Sequence, residues 1–477
     1  MLRLSKRSQF RRPGAATPGS ADLFGTFIIA LLVASTVHAG AITITDIRLI
    51  DYRIERTKKF VTAKGSSDAC YGIFILITAN SDSGQSWTGL GDALPRSTVT
   101  NEIAKDAWAG AVAMRAALLN QRLETPRTLE QHVADIRVWG GQLQQIANSQ
   151  KLTTRHPPPA GKQLRATLCG FDEALVDVVA QIHDVPVFQA LGGAKRAHVQ
   201  VSALTFNADE SADSLAEKVD DADESLAAMR IKIGLDDDAD IKRVAAVARS
   251  LKKNHRADQQ IWVDVNQAWK TADKSIQMLG RIRDALTAEG FSAKFICEQP
   301  TIETDMAALA AVTKQMRAWN DALPFKFVTV ADEAVWTLDD AKEMVALDAA
   351  DVVNIKIQKA GGLLPSMEIA NYLQKESPNT GVYIGGVVCT DITSWANLQL
   401  CLALPRLDYA TGCVPRRAYP VNLAAVPVQY EKDSKDKTLV SPAKPGLGTA
   451  LDMSKLEKYI RHDSAKPTTQ SSAESGQ

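Results

Sequence analysis

Short apolar segments alternate with amphipathic helical segments from residue 197 onwards, and this alternation limits the fold more than any other feature. Parallel strands need crossover helices, so the pattern predicts an α/β fold built on a parallel sheet. About seven or eight such repeats fit a (β/α) barrel better than a doubly wound sheet. The predicted strands are residues 199–204, 229–233, 261–265, 295–297, 327–331, 352–357 and 382–384, and the predicted helices are 212–228, 241–253, 274–290, 305–320, 337–347 and 364–375.

The part of the chain before residue 197 has a different pattern. Strand-like segments come first and helical periodicity follows, which predicts an antiparallel meander with helices, an α+β region. Between the first two strands, the polar segment 56–65 ends in glycine and is predicted to be a loop that covers a site. The predicted strands are 42–50, 71–78 and 87–93, and the predicted helices are 101–119 and 163–182.

Successive strands of the predicted barrel end in a carboxylate. Asp264 ends one strand, and Asn266 two residues later points to the same face; Glu298 and Asp332 end the next two strands. Because the carboxyl ends of barrel strands meet at one rim, we expect these carboxylates to converge. Carboxylate oxygens are preferred ligands of hard cations, so the sequence predicts a Mg²⁺ site, with Asn266 and Glu333 supporting the ligands.

Lysines lie inside two of the apolar strands, where a lysine is unusual unless it is paired or functional. Lys232 shares a strand face with Arg230, and Lys356 belongs to the strand after the metal strands. The two amines are therefore predicted to flank the metal. The metal would take up charge as an enediolate forms, while one lysine removes the proton α to a carboxylate and the other returns one. In an alternative reading Arg230 is the working cation and Lys232 its neighbour.

These residues resemble the enolase superfamily, in particular its muconate lactonizing enzyme subgroup, which includes N-acyl amino acid racemases and dipeptide epimerases. The resemblance covers residues from about 42 to about 430 and rests on motifs in the family's order. The matches are Arg230-Ile231-Lys232 for the family's Lys-x-Lys, then Asp264, Glu298-Gln299-Pro300, Ala331-Asp332-Glu333, and Asn354-Ile355-Lys356 followed by Gly361-Gly362.

The resemblance implies a modified (β/α)7β barrel of the TIM type with an N-terminal α+β capping domain over its mouth. It implies one Mg²⁺ per subunit, with Mn²⁺ as the alternative, held by Asp264, Glu298 and Asp332. It assigns catalysis to Lys232 and Lys356. The predicted divisions are a leader at 1–40, the capping domain at 41–165, the barrel at 166–430, a segment returning to the capping domain at 431–463, and a disordered tail at 464–477.

Departures from the family pattern bear on the substrate. Dipeptide epimerases usually carry Asp-x-Asp after the last barrel strand to hold the substrate's ammonium group, and residues 408–413 contain no such pair. The seventh strand usually ends in a Met-x-Glu-Ser type of sequence; here Asp391 is the candidate replacement for its acidic residue. Lys58, Lys59 and Phe60 of the covering segment are further candidates for substrate contact.

The bulk composition narrows the class of partner. The chain has 55 basic and 55 acidic residues, which gives no electrostatic reason to expect nucleic acid or an anionic membrane. Basic residues, an apolar run at 24–37 and small residues at 39–41 are typical of a secretory signal peptide. We expect secretion or a periplasmic location, with a membrane anchor or an organelle leader as alternatives. The six cysteines form no CxxC pair and are predicted to be buried free thiols.

The sequence thus predicts an isomerase: a Mg²⁺-dependent racemase or epimerase acting on an amino-acid derivative, dipeptide or related small carboxylate. A homo-oligomer without stable membrane insertion is expected. Within the family, the alternatives are a muconate-type cycloisomerase and a syn-dehydratase. A non-catalytic carboxylate-binding barrel is the alternative from another class, and the lysine pair argues against it because binding alone needs no base.

Overall fold

The computed structural model describes residues 40–465 apart from residues 202, 223–225, 388–389, 413–418, 432–437 and 441. The predicted leader up to residue 39, Cys389, Cys413 and the predicted tail beyond residue 465 lie outside the described residues. Within them, no helix combines the length and the apolar character that crossing a membrane requires. The free and buried cysteines in this part are Cys70, Cys169, Cys297 and Cys401.

The first strands form the predicted antiparallel meander. Residues of β1 such as Ile47 and Leu49 are fully buried, because alternate side chains face the helices that cover this sheet. The strands are β1 (Gly40–Thr62), β2 (Gly65–Ser81) and β3 (Ser86–Ala93), with β4 (Arg122–Thr125) paired to the start of β1.

The prediction that residues 56–65 form a loop is wrong. β1 and β2 continue through it as a hairpin in which Phe60 pairs with Ser67 and Thr62 pairs with Gly65. A register shift between Glu55 and Phe60 marks an irregularity at its base. Strand pairing satisfies the backbone of Phe60–Thr62, and the Lys59 carbonyl accepts from Asn207 Nδ2 at 3.1 Å, so an alternating apolar pattern is not needed to keep the tip extended.

Helices cover one face of the antiparallel sheet: α1 (Ala104–Leu118), α2 (Leu129–Ser149) and α3 (Arg165–Ile182). The backbone amide of Leu90 in β3 donates to Asp177 of α3 at 2.8 Å. The two elements approach so closely that a Cβ on Gly91 would lie 1.8 Å from the carbonyl oxygen of Gly170. α3 also contacts the second sheet's helices, since Asp172 accepts from the amide of Leu363 at 2.5 Å, and the boundary at residue 165 remains a prediction.

Within the described residues, the second sheet has seven parallel strands in the order β11-β10-β9-β8-β7-β6-β5. Sequential neighbours with helical crossovers confirm the predicted alternation. The strands are β5 (Ala203–Phe206), β6 (Ala228–Lys232), β7 (Gln260–Asp264), β8 (Lys294–Glu298), β9 (Lys326–Ala331), β10 (Val352–Ile355) and β11 (Gly381–Ile384). The helices are α4 (Val187–Ala190), α5 (Ala212–Asp220), α6 (Asp237–Lys253), α7 (Ala272–Glu289), α8 (Met306–Trp319), α9 (Leu338–Ala346), α10 (Ile357–Ala360), α11 (Leu363–Glu376) and α12 (Asp391–Ala403).

A further segment, residues 408–412, joins the two edges of the parallel sheet. The amide of Gly412 donates to the carbonyl of Ile384 in β11 at 2.9 Å, and the amide of Thr411 donates to the carbonyl of Gln200 at 2.8 Å. This segment therefore stands between β11 and the residues leading into β5. That is the place of the eighth strand in a (β/α)7β barrel.

Capping residues fix where the barrel helices begin. The side chains of Asp236, Thr271, Asp305 and Thr337 accept hydrogen bonds from backbone amides in the first turns of α6, α7, α8 and α9. Each cap follows closely on the carboxyl end of a strand. The loops at this rim are consequently short and hold the strand ends in place.

The chain finally returns to the first sheet through α13 (Met453–Leu456) and β12 (Ile460–Asp463). β12 pairs antiparallel with β1, matching Ile50 with Asp463. Arg48 donates to the carboxylate of Asp463 at 3.0 and 2.6 Å. Residues Ile460–Asp463 thus complete the sheet with which the described part begins.

Candidate active site and metal centre

The side chains of Asp264, Glu298 and Asp332 meet at the carboxyl rim of the barrel. Asp264 and Glu298 are the last residues of β7 and β8, and Asp332 directly follows β9. Their carboxylate oxygens lie within 4.8 Å of one another, and all three side chains are fully buried. Buried like charges at this distance repel strongly, so the cluster requires nearby cations.

Both oxygens of Glu298 are held by donors deeper in the barrel. Oε1 accepts from Asn354 Nδ2 at 2.8 Å, and Oε2 accepts from Trp262 Nε1 at 2.6 Å and from Arg230 Nη2 at 2.5 Å. Arg230 also donates to Asp264 at 2.8 Å, and its guanidinium lies 5.4 Å from the centroid of the Trp262 ring. The arginine that replaces the family's first lysine therefore bridges two carboxylates of the cluster.

Lys232, the last residue of β6, approaches the cluster from one side. Its Nζ donates to Asp264 Oδ2 at 2.5 Å and to Asn266 Oδ1 at 3.1 Å. Asn266 in turn donates from Nδ2 to Glu333 Oε1 at 3.2 Å. A chain of hydrogen bonds thus runs from the amine of Lys232 through Asn266 to Glu333.

Lys356 approaches from the other side. It lies directly after β10 rather than inside a strand, because the chain turns there into α10. Its ammonium group pairs with Asp332 Oδ2. One helical turn later, Lys359 Nζ lies 2.8 Å from Oδ1 of the same carboxylate, and the Lys359 side chain is only 1% exposed. Lys359 also donates to main-chain carbonyls, among them that of Asn354 at 3.2 Å.

Neighbouring lysine and arginine side chains keep Asp264 and Asp332 ionised. Burial raises the pKa of Asp264, but the charges of Lys232 and Arg230 outweigh burial and hold that pKa below its usual value. Burial likewise raises the pKa of Asp332, and its two lysines hold the pKa well below the usual range. Burial raises the pKa of Glu298 to about 8; Arg230 opposes the rise, and the other two carboxylates add to it.

The cluster fits a hard divalent cation. Its donors are carboxylate oxygens from three neighbouring strands, which suit Mg²⁺ or Mn²⁺ better than a metal that prefers sulfur or nitrogen. Oδ1 of Asp332 is buried and accepts no hydrogen bond from any residue in the described part of the chain, although Lys359 is close to it. A carboxylate oxygen has two lone pairs, so this oxygen has one left for a cation beside its ion pair with Lys359.

The hairpin of β1 and β2 covers the mouth of the barrel near Lys232. The Lys232 amine lies 5.8 Å from the centroid of the Phe60 ring, and the guanidinium of Arg56 lies 5.0 Å from the same ring. Lys58 and Lys59, also predicted as candidates for substrate contact, are exposed. Of the predicted contact residues in this segment, Phe60 is therefore the one that the structure brings to the site.

Asp391 is not one of the three carboxylates of the cluster. It is the first residue of α12, it is buried, and it accepts a hydrogen bond from Asn422 Nδ2 at 2.6 Å. The preceding Thr390 donates to Asp92 of β3 at 2.6 Å. The start of α12 thus connects the barrel to the antiparallel sheet, and a role of Asp391 in substrate binding remains a prediction.

The sequence analysis assigned no role at the site to several residues that lie there, although Asn354 belongs to the Asn354-Ile355-Lys356 motif. Trp262 and Asn354 stand two positions before Asp264 and Lys356, so the period of a strand places each on the face of its predicted partner. Tyr383 in β11 accepts from Arg230 at 3.0 Å. Lys359 lies three residues after Lys356 in the segment Ile357-Gln358-Lys359-Ala360, which has no pattern that distinguishes a buried lysine from an exposed one.

Comparison with known proteins identifies the family to which the chain belongs. Residues 211–455 match the family described as "Enolase C-terminal domain-like". The chloromuconate cycloisomerase of Cupriavidus pinatubonensis is 30% identical over 303 residues, which cover 62% of this chain and 73% of that protein. The N-succinyl-L-Arg/Lys racemase of Bacillus cereus is 26% identical over 297 residues, covering 60% and 70%.

The fold is shared with solved structures. A dipeptide epimerase from Cytophaga hutchinsonii, complexed with Mg and the dipeptide D-Ala-L-Val, matches with a TM-score of 0.69 at 17% identity, covering 88% of this chain and 99% of that one. The chain belongs to the enolase C-terminal domain-like family. With its relatives in the muconate lactonizing enzyme subgroup, it is an isomerase of the enolase superfamily.

Proposed function

We propose that this isomerase is a Mg²⁺-dependent racemase or epimerase that exchanges the proton α to the carboxylate of an amino-acid derivative or a related acid. One observation carries the proposal: amines reach the carboxylate cluster from opposite sides, Lys232 through Asp264 and Lys356 through Asp332. β6 and β10 lie four strands apart, which in an eight-membered barrel places their ends across the mouth from each other.

The residues divide the work as follows. Asp264, Glu298 and Asp332 would hold the cation, which when bound supplies positive charge to the substrate carboxylate and to the charge that develops on its oxygens. One lysine accepts the α-proton on its nitrogen from one face of the substrate. The other lysine, as an ammonium, donates a proton to the opposite face, and the two exchange roles in the reverse direction.

Other residues position these groups and limit the entry of water. Trp262, Arg230 and Asn354 fix the orientation of the Glu298 carboxylate through three hydrogen bonds. Lys359 holds Asp332 from the buried side. The hairpin with Phe60 covers the side of the site at which Lys232 stands, so bulk water is partly excluded from the amine.

Cycloisomerisation is the second candidate. Its support is the similarity to the chloromuconate cycloisomerase, which is shared over 73% of that protein. In such a reaction one lysine acts as both acid and base, while the other contributes only charge. The two candidates therefore differ in whether both amines transfer protons.

The proposal is tested by α-deuterium exchange in D₂O. The full chain is incubated with Mg²⁺ and a library of N-acyl amino acids, dipeptides and hydroxy acids, and exchange is followed by proton NMR. Exchange from both enantiomers of a library member is the expected result. Absence of exchange from every member, with Mg²⁺ binding shown by calorimetry on the same sample, would overturn the racemase proposal.

A further inference from the structure

A cavity of about 190 Å³ lies beside the site at the edge of the barrel mouth. It is lined by the loops that follow β8 and β9, by the start of α9, and by the segment that leads into α3. Its charged lining residues are Glu303, Glu333, Asp340, Glu343 and Lys162. Four carboxylates and a single amine thus face one small space, which gives it a negative potential.

Glu333 is the wall that this cavity shares with the active site. Its Oε1 accepts from Asn266 at 3.2 Å, and Lys64 of the hairpin lies 3.5 Å from the same oxygen. Its Oε2 is buried and accepts no hydrogen bond from any residue that the structure describes, while the side chain as a whole is 4% exposed. A buried carboxylate oxygen without a donor is costly, and a cationic donor in the cavity would remove that cost.

The other carboxylates differ in how far they are already paired. Asp340 has a partner, because Lys162 Nζ lies 2.8 Å from its Oδ1. Glu303 receives a hydrogen bond from Gln267 Nε2 at 3.4 Å, a long and weak contact to a neutral group. Glu343 is exposed on α9. Even if Lys162 and Lys64 are both counted, the carboxylates exceed the amines by two.

An aromatic surface completes the cavity. Trp336 is 1% exposed, donates from Nε1 to the carbonyl of Glu333 at 2.6 Å, and carries Lys162 5.7 Å from its ring centroid. The Lys162 ammonium beside this largely covered ring shows that the wall of the cavity attracts a cation with an organic surface rather than a small hydrated metal ion. A guanidinium group satisfies both requirements, since it is flat, donates several hydrogen bonds and stacks on aromatic rings.

We propose that this cavity is a cation subsite that takes a guanidinium or alkylammonium group, with Oε2 of Glu333 as its innermost acceptor. Two sources could supply that group: the distal end of the substrate, or a separate small cation. In the first case the inference rests on the proposed function and assigns a basic side chain to the substrate. The path from Lys232 through Asn266 to Glu333 consists of two hydrogen bonds, so the cavity adjoins the amine that handles the α-proton.

The test compares N-acetyl-arginine with N-acetyl-citrulline, whose neutral urea has nearly the shape of guanidinium, and uses methylguanidinium as the free cation. Binding to the Mg²⁺-loaded full chain is measured by calorimetry. We expect the arginine derivative to bind about tenfold more tightly or better, the equivalent of one charge-assisted hydrogen bond. We expect this ratio to fall towards one in Glu303→Gln and in Glu343→Gln. Glu376→Gln, at the end of α11 where Glu376 pairs with exposed Lys375, is the matched control and should leave the ratio unchanged.

Each outcome decides between the alternatives. If methylguanidinium binds, Glu303→Gln weakens that binding, and the two derivatives bind equally, the cavity takes a separate cation and the subsite stands. If the derivatives bind equally and methylguanidinium binding is absent or unaffected by both cavity variants, the subsite is overturned. If the subsite is overturned in this way but the citrulline derivative undergoes α-exchange, the proposed function still stands. If the cation binds but no compound of the library undergoes α-exchange, the subsite stands and the proposed function is overturned. Thermal unfolding of each variant confirms that it is folded; Glu343, being exposed, provides the variant with the least effect on folding.

Discussion

Buried carboxylates occur in two regions of this protein and are held in opposite ways. At the barrel rim, Asp264 and Asp332 pair with lysine and arginine side chains, and their pKa values lie below the usual range. Around α3, the buried Glu102 and the half-buried Asp172 accept hydrogen bonds mainly from backbone amides and hydroxyls. Burial raises the pKa of each of these two residues to about 7.

The difference separates two uses of the same side chain. A carboxylate held by neutral donors joins elements: Asp172 ties α3 to the start of α11, and Asp177 ties it to Leu90 in β3. A carboxylate held by cations keeps its charge despite burial and places amines where a substrate can meet them. Glu298 stands between the two groups, since it has one cationic and two neutral donors.

The largest expected effect concerns the cations at the rim. Replacing Lys356 with alanine should reduce α-deuterium exchange by about 10²–10⁴-fold, the usual contribution of a general base. Replacing Lys232 with alanine should do the same if both amines transfer protons. Mg²⁺ binding, measured by calorimetry, serves as the control for an intact site. Full exchange in Lys232→Ala beside loss in Lys356→Ala would show a reaction with one base.

Lys359 tests whether the buried pairing at the rim also stabilises the fold. Lys359→Met leaves Asp332 with one amine in place of two and leaves several carbonyls without their donor. We expect a loss of about 3 kcal/mol in the free energy of unfolding, measured by urea denaturation. Lys342→Met, at an exposed pair on α9, should cost less than about 1 kcal/mol. Equal losses in the two variants would contradict the difference in burial.

The pKa values of the carboxylates around α3 are raised, whereas those of Asp264 and Asp332 are lowered. The contribution of the α3 carboxylates to stability should therefore depend on pH in the opposite direction from that of the rim carboxylates. The pKa of Glu102 is raised from 4.5 to about 7 in the folded protein, so its protonated form stabilises the fold. This contribution is fully present below about pH 4.5 and is lost as the pH rises through about 7. Relative to Glu102→Gln, the wild-type protein should therefore lose up to about 3 kcal/mol of unfolding free energy between those values. Parallel stability curves for wild type and variant would refute this.

Replacement of Trp262 tests how the hydrogen bonds to Glu298, which has one cationic and two neutral donors, affect metal binding. Trp262→Phe removes the 2.6 Å hydrogen bond to Oε2 and retains a ring beside Arg230. Groups that orient a metal ligand typically contribute about 10- to 100-fold to metal affinity, and we expect a loss of that size for Mg²⁺ by calorimetry. Trp319→Phe on α8, far from the rim along its helix, is the control. Unchanged affinity in Trp262→Phe would show that Arg230 and Asn354 alone orient Glu298.

The parallel barrel was predictable because each strand and helix has its own local pattern, and because carboxyl ends of parallel strands must share a rim. From that geometry, the carboxylates of Asp264, Glu298 and Asp332 could be predicted to form one cluster. Lys356 was found for the same reason, although the strand was drawn two residues too long.

The remaining features depend on contacts between distant parts of the chain. Residues 56–65 have no alternating apolar pattern, so the sequence contains no local sign of the hairpin. Pairing of Phe60–Thr62 with Gly65–Ser67 forms its tip. Residues 408–412 close the barrel mainly through backbone hydrogen bonds, with Thr411 and Asp408 adding side-chain bonds to β11, and this leaves no periodic pattern in the sequence. Lys359 required knowledge that α10 is a single helical turn, which brings residues three apart onto one carboxylate.

The pairing of β12 with β1 has a consequence for synthesis on the ribosome. Ile460–Asp463 emerge after the whole barrel has been made, yet they form an edge of the sheet that contains Gly40–Thr62. The nascent capping sheet must therefore wait, with the partner side of β1 unpaired around Ile50, until more than 400 further residues have been translated. The last strand acts as a closing step in vectorial folding, so a chain truncated before it would carry an exposed strand edge that invites aggregation.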